Sequence, residues 1–178
     1  QIVNALKNNE KIAPESVDNL SVASIKLEGL EDSGNSESTL QKIVAFQTEL
    51  LEGSDHIANS FKTERLSYFG NENIFAWGLS QGLIDTDSKL LNFCLKFLEL
   101  IADLNKKHGI LIEVYIGAAS NHAFYSVIGE HKIRFQVWGK SVSEADLLRD
   151  ACPANKILVC ENVYKKLKDR FNFSELKI

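Results

Sequence analysis

Between Asp87 and His108 the apolar residues Leu90, Cys94, Phe97, Ile101 and Leu104 recur at spacings of four, three, four and three. That period matches an α-helix, which gathers the five on one stripe. Gly109 follows where helices commonly end in the left-handed conformation. A helix this long with an apolar stripe on one side has to lie on something apolar. The segments after it, 110–119, 122–129 and 132–138, read as strands and provide the surface.

The remaining elements follow from the same periodicities. Ser21 to Leu27 alternates Val22, Ser24 and Lys26 with Ala23, Ile25 and Leu27, which predicts a first strand. Glu28 to Glu37, rich in Gly, Ser, Asn and acid, predicts a loop. Ser38 with Gln41 can form a capping box, opening a helix through Leu40, Ile43, Val44, Gln47 and Leu51 that Gly53 ends. Arg65 to Phe69 and Asn73 to Gly78 flank Gly70-Asn71-Glu72, a hairpin signal. Residues 142–150 and 163–168 read as helices and 156–160 as a strand. The order β-α-β-β-α-β describes an α+β, ferredoxin-like split-βαβ sheet, with helices expected on one face. Residues 1–13 place Ile2, Val3, Leu6 and Ile12 among polar residues and read as the end of an upstream amphipathic helix stopped by Pro14; residues 14–178 form the domain itself.

Charge and composition narrow the function. The 178 residues carry 20 Lys and Arg against 24 Asp and Glu, with no window that concentrates the bases, so no nucleic-acid partner is expected. No apolar run approaches the roughly 18 residues that span a bilayer, so no direct membrane contact is expected either. The expected location is the cytoplasm, with the cytosolic part of a membrane protein as the alternative. Cys94, Cys152 and Cys160, odd in number and irregularly spaced, read as buried thiols of a reducing compartment. The lack of any methionine, even at position 1, reads as a piece of something longer.

Four segments carry a resemblance. Ile116 to Gly129 (IGAASNHAFYSVIG) is similar to a hairpin segment of class III nucleotidyl cyclases. Phe135 to Ala145 resembles that family's segment leading into its substrate-site helix, and Lys156 to Glu161 resembles its closing strand. Ile12 to Ser16, followed by the Val22 strand, is similar to the entry from a signalling helix into the cyclase homology domain. The family's chemistry is attack of a ribose 3'-hydroxyl on the α-phosphate, supported by two metal ions. The resemblance therefore implies Mg²⁺ or Mn²⁺ as cofactors of an active member.

The same resemblance places the family's two metal-holding Asp positions on Lys26 and Asn71. An ammonium has no lone pair to give and Asn71 offers only a neutral carbonyl, so no metal and no cofactor is expected. The Asn and Arg that a partner subunit contributes fall on Ser143 and Leu147, so no catalytic residues are expected. The base-selecting positions fall on Ser67 and Gln136, which with Lys140 and Arg149 are the candidate cleft residues. Arg149 admits two readings, a half-turn shift toward the phosphate site or a solvated helix-end residue. A shifted metal site on Glu28 and Asp32 is the alternative to none, although acids in a Ser/Gly loop are usually a solvated turn. His122 and His131 lack further ligands at metal spacing and read as lightly packed surface imidazoles.

These readings point to a catalytically silent cyclase homology domain working as a dimerisation and signal-relay module. Its expected partners are a second copy or a related cyclase-domain subunit, and an upstream sensor or membrane domain in the same chain. The alternatives are a divergent but active adenylate or guanylate cyclase and a small-ligand-binding module.

Overall fold

In the computed structural model, which describes residues 13–29, 37–69, 71–79, 84–128 and 134–176, a mixed six-stranded sheet is built around its two longest strands. β1 (Glu15–Glu28) and β4 (Glu113–Ile128) run antiparallel, from Glu15 opposite Tyr125 to Glu28 opposite Glu113. Outward from β1 lie β3 (Glu72–Trp77) and then β2 (Glu64–Phe69). On the other side of β4 lie β5 (Arg134–Trp138), antiparallel, and β6 (Lys156–Val159), parallel. Four helices lie among the described residues: α1 (Glu37–Phe61), α2 (Thr86–His108), α3 (Lys140–Ala151) and α4 (Glu161–Leu167).

Alternate residues of a strand face opposite ways, so the register assigns each residue a side. Ala23, Ile25, Phe75, Trp77, Ile116 and Ala118 share the side covered by α2. There the Phe93 ring lies 4.6 Å from that of Phe75 and 5.2 Å from that of Trp77, both arrangements favourable for aromatic pairs. Val22, Ser24, Lys26, Glu72 and Gly117 share the opposite side, which receives α3. A Cβ on Gly117 would stand 1.9 Å from the Ala145 carbonyl oxygen and 2.4 Å from the Arg149 amide nitrogen. Only a residue without a side chain lets α3 sit that low on β4.

The expected α+β fold is what the chain adopts, and α2 falls within a residue of its predicted start, with Gly109 at φ 64° as its C-cap. Three details differ. Helices cover both faces of the sheet rather than one, because β1 is buried on both: Val22 and Ser24 are as inaccessible as Ala23 and Ile25. Gly53 does not end α1, which continues to Phe61. Its role is close approach, since a Cβ there would meet Leu100 Cδ1 at 2.8 Å. Finally, the two strands expected on either side of Ser120-Asn121 are one strand of 16 residues. The turn-like pair stays in the strand because its polar groups are satisfied in place: the Asn162 amide donates to the Ser120 carbonyl at 3.1 Å, and the Asn121 amide donates to the Glu144 carboxylate. Residues 116–128 therefore lie within the single strand β4, which pairs antiparallel with β5. The upstream-helix reading of residues 1–13 falls almost wholly outside the described residues.

Candidate functional site

The α3-covered side of the sheet holds most of the candidate residues. Lys26 stands near the end of β1, with its Cα opposite that of Glu72 on β3 and of Tyr115 on β4. Its ammonium donates to the Glu28 carboxylate at 2.6 Å, two residues along on the same side of the strand. The hydrogen bond to Glu28 raises the Lys26 pKa, and the bond to Lys26 lowers that of Glu28. Asn71 closes the turn before β3: its side-chain amide donates to the Leu27 carbonyl at 2.8 Å, and its own carbonyl accepts from the Leu27 amide at 3.0 Å.

Arg149 reaches the same region from α3. Its side chain is only 8% exposed, and its guanidinium donates to Ser24 Oγ at 2.9 Å, to Asp146 at 3.1 Å and to Asp150 at 2.9 Å. The Glu72 carboxylate lies 3.5 Å from the same nitrogen that reaches Ser24. Neither sequence reading of Arg149 describes this. It is not solvated, because α3 is seated too deeply, and it is held by the sheet rather than presented to a cleft. Ser24 itself donates to Asp146 at 2.6 Å, closing a three-residue knot between β1 and α3.

The other candidates lie apart from this knot. Ser143 and Leu147 are on the outward side of α3, Leu147 71% exposed, with the Ser143 hydroxyl bonded back to the Gly139 carbonyl at 3.2 Å. Lys140 is exposed at the start of α3, Gln136 is exposed in β5 opposite Ser126, and Ser67 lies in β2 opposite Ile74. The His122 ring packs edge-on against Phe124 at 4.5 Å. Asp32 and His131 lie outside the described residues. A groove of about 1070 Å³ lined by Leu91, Leu95, Tyr164 and Phe173 runs against α2, on the far side of the sheet from Lys26.

Residues 12–178 match the family described as the adenylate and guanylate cyclase catalytic domain. The chain belongs to that family. An adenylate cyclase of Mycobacterium tuberculosis is 24% identical over 175 residues, which are 98% of this chain and 39% of that protein, so the chain spans well under half the length of this relative. Among solved structures, the dimeric guanylyl cyclase domain of the RhoGC fusion protein from Blastocladiella emersonii superposes with a TM-score of 0.81 at 19% identity, covering 94% of this chain and 92% of that one. The guanylate cyclase domain of RhGC from Catenaria anguillulae, crystallised with GTP, gives 0.79 at 19%, covering 89% and 86%.

Within the cyclase domain, the metal ions that the family implies can be tested against the donors present. Divalent Mg²⁺ and Mn²⁺ call for oxygen ligands, and bound carboxylates supply most of the affinity. At the two positions assigned by the resemblance stand an ammonium already bonded to Glu28 and an amide already bonded to Leu27. These residues do not fit a divalent ion. Among the described residues no group of three or more His, Cys, Asp or Glu could hold one either. Glu28, half of the shifted alternative, is committed to Lys26. Also among the described residues, no helix is long and apolar enough to cross a membrane.

Proposed function

We propose that this cyclase-family domain is catalytically silent and serves a larger protein as a dimerisation and signal-relay module. The observation that carries the reading is the Lys26–Glu28 ion pair at 2.6 Å, a fixed positive charge where the reaction would require a bound cation. The partner-facing positions support it. Ser143 and Leu147 would offer a second subunit a short hydroxyl and an aliphatic chain, and a leucine cannot stabilise an anionic transition state. On this account the fold has outlived the chemistry and is kept for assembly. In this reading residues 1–13 are the end of a signalling helix, residues 14–178 are the domain it drives, and the partner is a second copy or a related cyclase domain.

The test is turnover. Purified protein given ATP or GTP with Mg²⁺ or Mn²⁺ is expected to release no cyclic nucleotide. Losing both metal ligands removes several kcal/mol of transition-state stabilisation. Turnover that Glu28→Ala or Asp32→Ala abolishes would overturn the reading in favour of a shifted metal site. Relay is tested separately by sedimentation of a chain extended upstream of Gln1: a dimer is expected, and a monomer would leave the small-ligand module as the better account.

A further inference from the structure

We propose that β1 contains a hinge, the break in its ladder between Val17 and Leu20, and that the Ser141 hydroxyl couples this hinge to α3. Val17 stands opposite Ala123 and Leu20 opposite Asn121, so β1 carries Asp18 and Asn19 where β4 has only His122. One extra residue in one strand is a β-bulge, which interrupts the ladder and bends the strand that holds it. Burial changes at the same place. Glu15 to Asn19 are exposed apart from the half-buried Val17, whereas every residue from Leu20 to Ile25 is buried. The bulge thus divides β1 into a surface entry segment and a buried core. The entry segment is held to β4 by its own pairing and by the Tyr125 hydroxyl, which donates to Glu15.

At the bulge the two strands are bridged by the start of α3. The Asn121 amide donates to Ser141 Oγ at 3.3 Å, and that hydroxyl donates on to the Leu20 carbonyl, so one buried side chain serves both facing residues. The Asn121 side chain donates to Glu144, one turn further along α3. Gly139, just before the helix, has φ 124°, and a Cβ there would stand 3.0 Å from Cα of Ala123, the residue paired with Val17. The first turn of α3 therefore rests on the hinge. Its later turns are fixed to the buried part of β1 through Asp146 and Arg149, both bonded to Ser24. A helix held at two points tilts when one of them moves. Within the relay reading, on which this inference rests, displacement of Glu15 to Val17 moves the start of α3 and carries the outward residues Ser143 and Leu147 with it. Ser141 is the positioning residue in that path.

Amide hydrogen exchange of the whole chain, followed residue by residue, tests the hinge. Ser141→Ala is expected to speed exchange of the Asn121 amide about 5–30-fold, the effect of losing one buried hydrogen bond. Val17→Ala, which loosens the entry segment, is expected to speed exchange in α3 while α2 keeps its protection. In a chain that already carries Ser141→Ala, adding Val17→Ala is expected to leave α3 unchanged, because the bridge between them is gone. If Ser141 served packing alone, α3 would respond to Val17→Ala equally with and without the hydroxyl, and that result would overturn the proposal. So would a Val17→Ala chain in which α3 exchanges no faster than before, or in which α2 loosens as much as α3. This last comparison decides alone if Ser141→Ala does not fold. Neither turnover nor sedimentation enters, so the hinge can fail while the silent dimeric module stands, and the module can fail while the hinge stands.

Discussion

The two faces of the sheet are built from different physics. Under α2 lie Ile25, Phe75, Trp77 and Ile116 against Phe93 and Phe97, with a smaller polar set at the start of the helix, where Ser21 donates to Asp87 at 2.7 Å and Lys166 reaches the same carboxylate. Under α3, on the alternate residues of the same strands, lie Ser24, Lys26 and Glu72, with Asp146 and Arg149 reaching Ser24 and Glu72 from the helix. The first face gains from area removed from water, which is tolerant of exchange among similar side chains. The second depends on partners at hydrogen-bond distance, and each member is costly to remove singly. The packing under α2 can therefore hold the fold while residues on the α3 face vary.

The largest effect should come from breaking the apolar face at its centre. Phe93 contacts the rings of Phe61, Phe75, Trp77 and Phe97 and is fully buried. Phe93→Ala is expected to cost about 3–5 kcal/mol, enough to unfold a marginal domain at physiological temperature. Denaturant unfolding measures it. A loss under 1 kcal/mol, by the same scale, would mean that the aromatic cluster is not what holds α2 to the sheet.

Gly117→Val tests the other face, and its effect should be smaller and local. The added side chain collides with backbone atoms of α3, which cannot swing aside as a side chain can. Overpacking of this kind costs about 1–3 kcal/mol. Hydrogen exchange should show α3 amides opening while those of α2 keep their protection. Equal loss of protection on both helices would mean that the two faces form one cooperative unit.

These contrasts also explain what the sequence could show. α2 was readable because a helix stripe is a local pattern of 3.6-residue period, and the β2–β3 hairpin because Gly-Asn between apolar runs is local as well. The burial of Ser120-Asn121 inside a strand was not readable. Its hydrogen-bond partners, Asn162 and Glu144, lie 42 and 23 positions away. Lys26 and Asn71 stood out through resemblance to a motif, and the structure adds that each is already bonded to its own chain. The burial of Arg149 was not legible for a related reason. Its decisive contact, with Ser24, joins residues 125 apart, and nothing near Arg149 in sequence announces it. The signal available was Asp146 at i−3 and Asp150 beside it, an arrangement also found on solvated helices.

The smallest expected effect is the pH response, read on the α3 face, with Asp85 and Glu49 beside the two ends of α2 as further lowered carboxylates. Glu28 is held below its ordinary value of 4.5 chiefly by its bond to Lys26, so its contribution is present above that value and is lost as pH falls through the lowered one. Lys26 is held above 10.5 by the same bond, so its contribution is present below that value and is lost as pH rises through the raised one. On the alkaline side Tyr115 adds a reporter. Its hydroxyl donates to Glu113 at 2.9 Å, and that bond, with the nearby negative charges, pushes the phenol up to about 12. Its protonated form is favoured in the folded state, so its contribution fades once pH climbs past the ordinary value of 10. Ultraviolet titration should show Tyr115 ionising late, and Glu113→Gln should bring it down toward that ordinary value. Across the plateau between these limits, α3 amides should keep constant protection, then loosen at either end before those of α2, whose buried Cys94 thiol is pushed up by desolvation. If α2 loosens first on acidification, the contrast between an apolar and an ionic face does not govern how this domain opens.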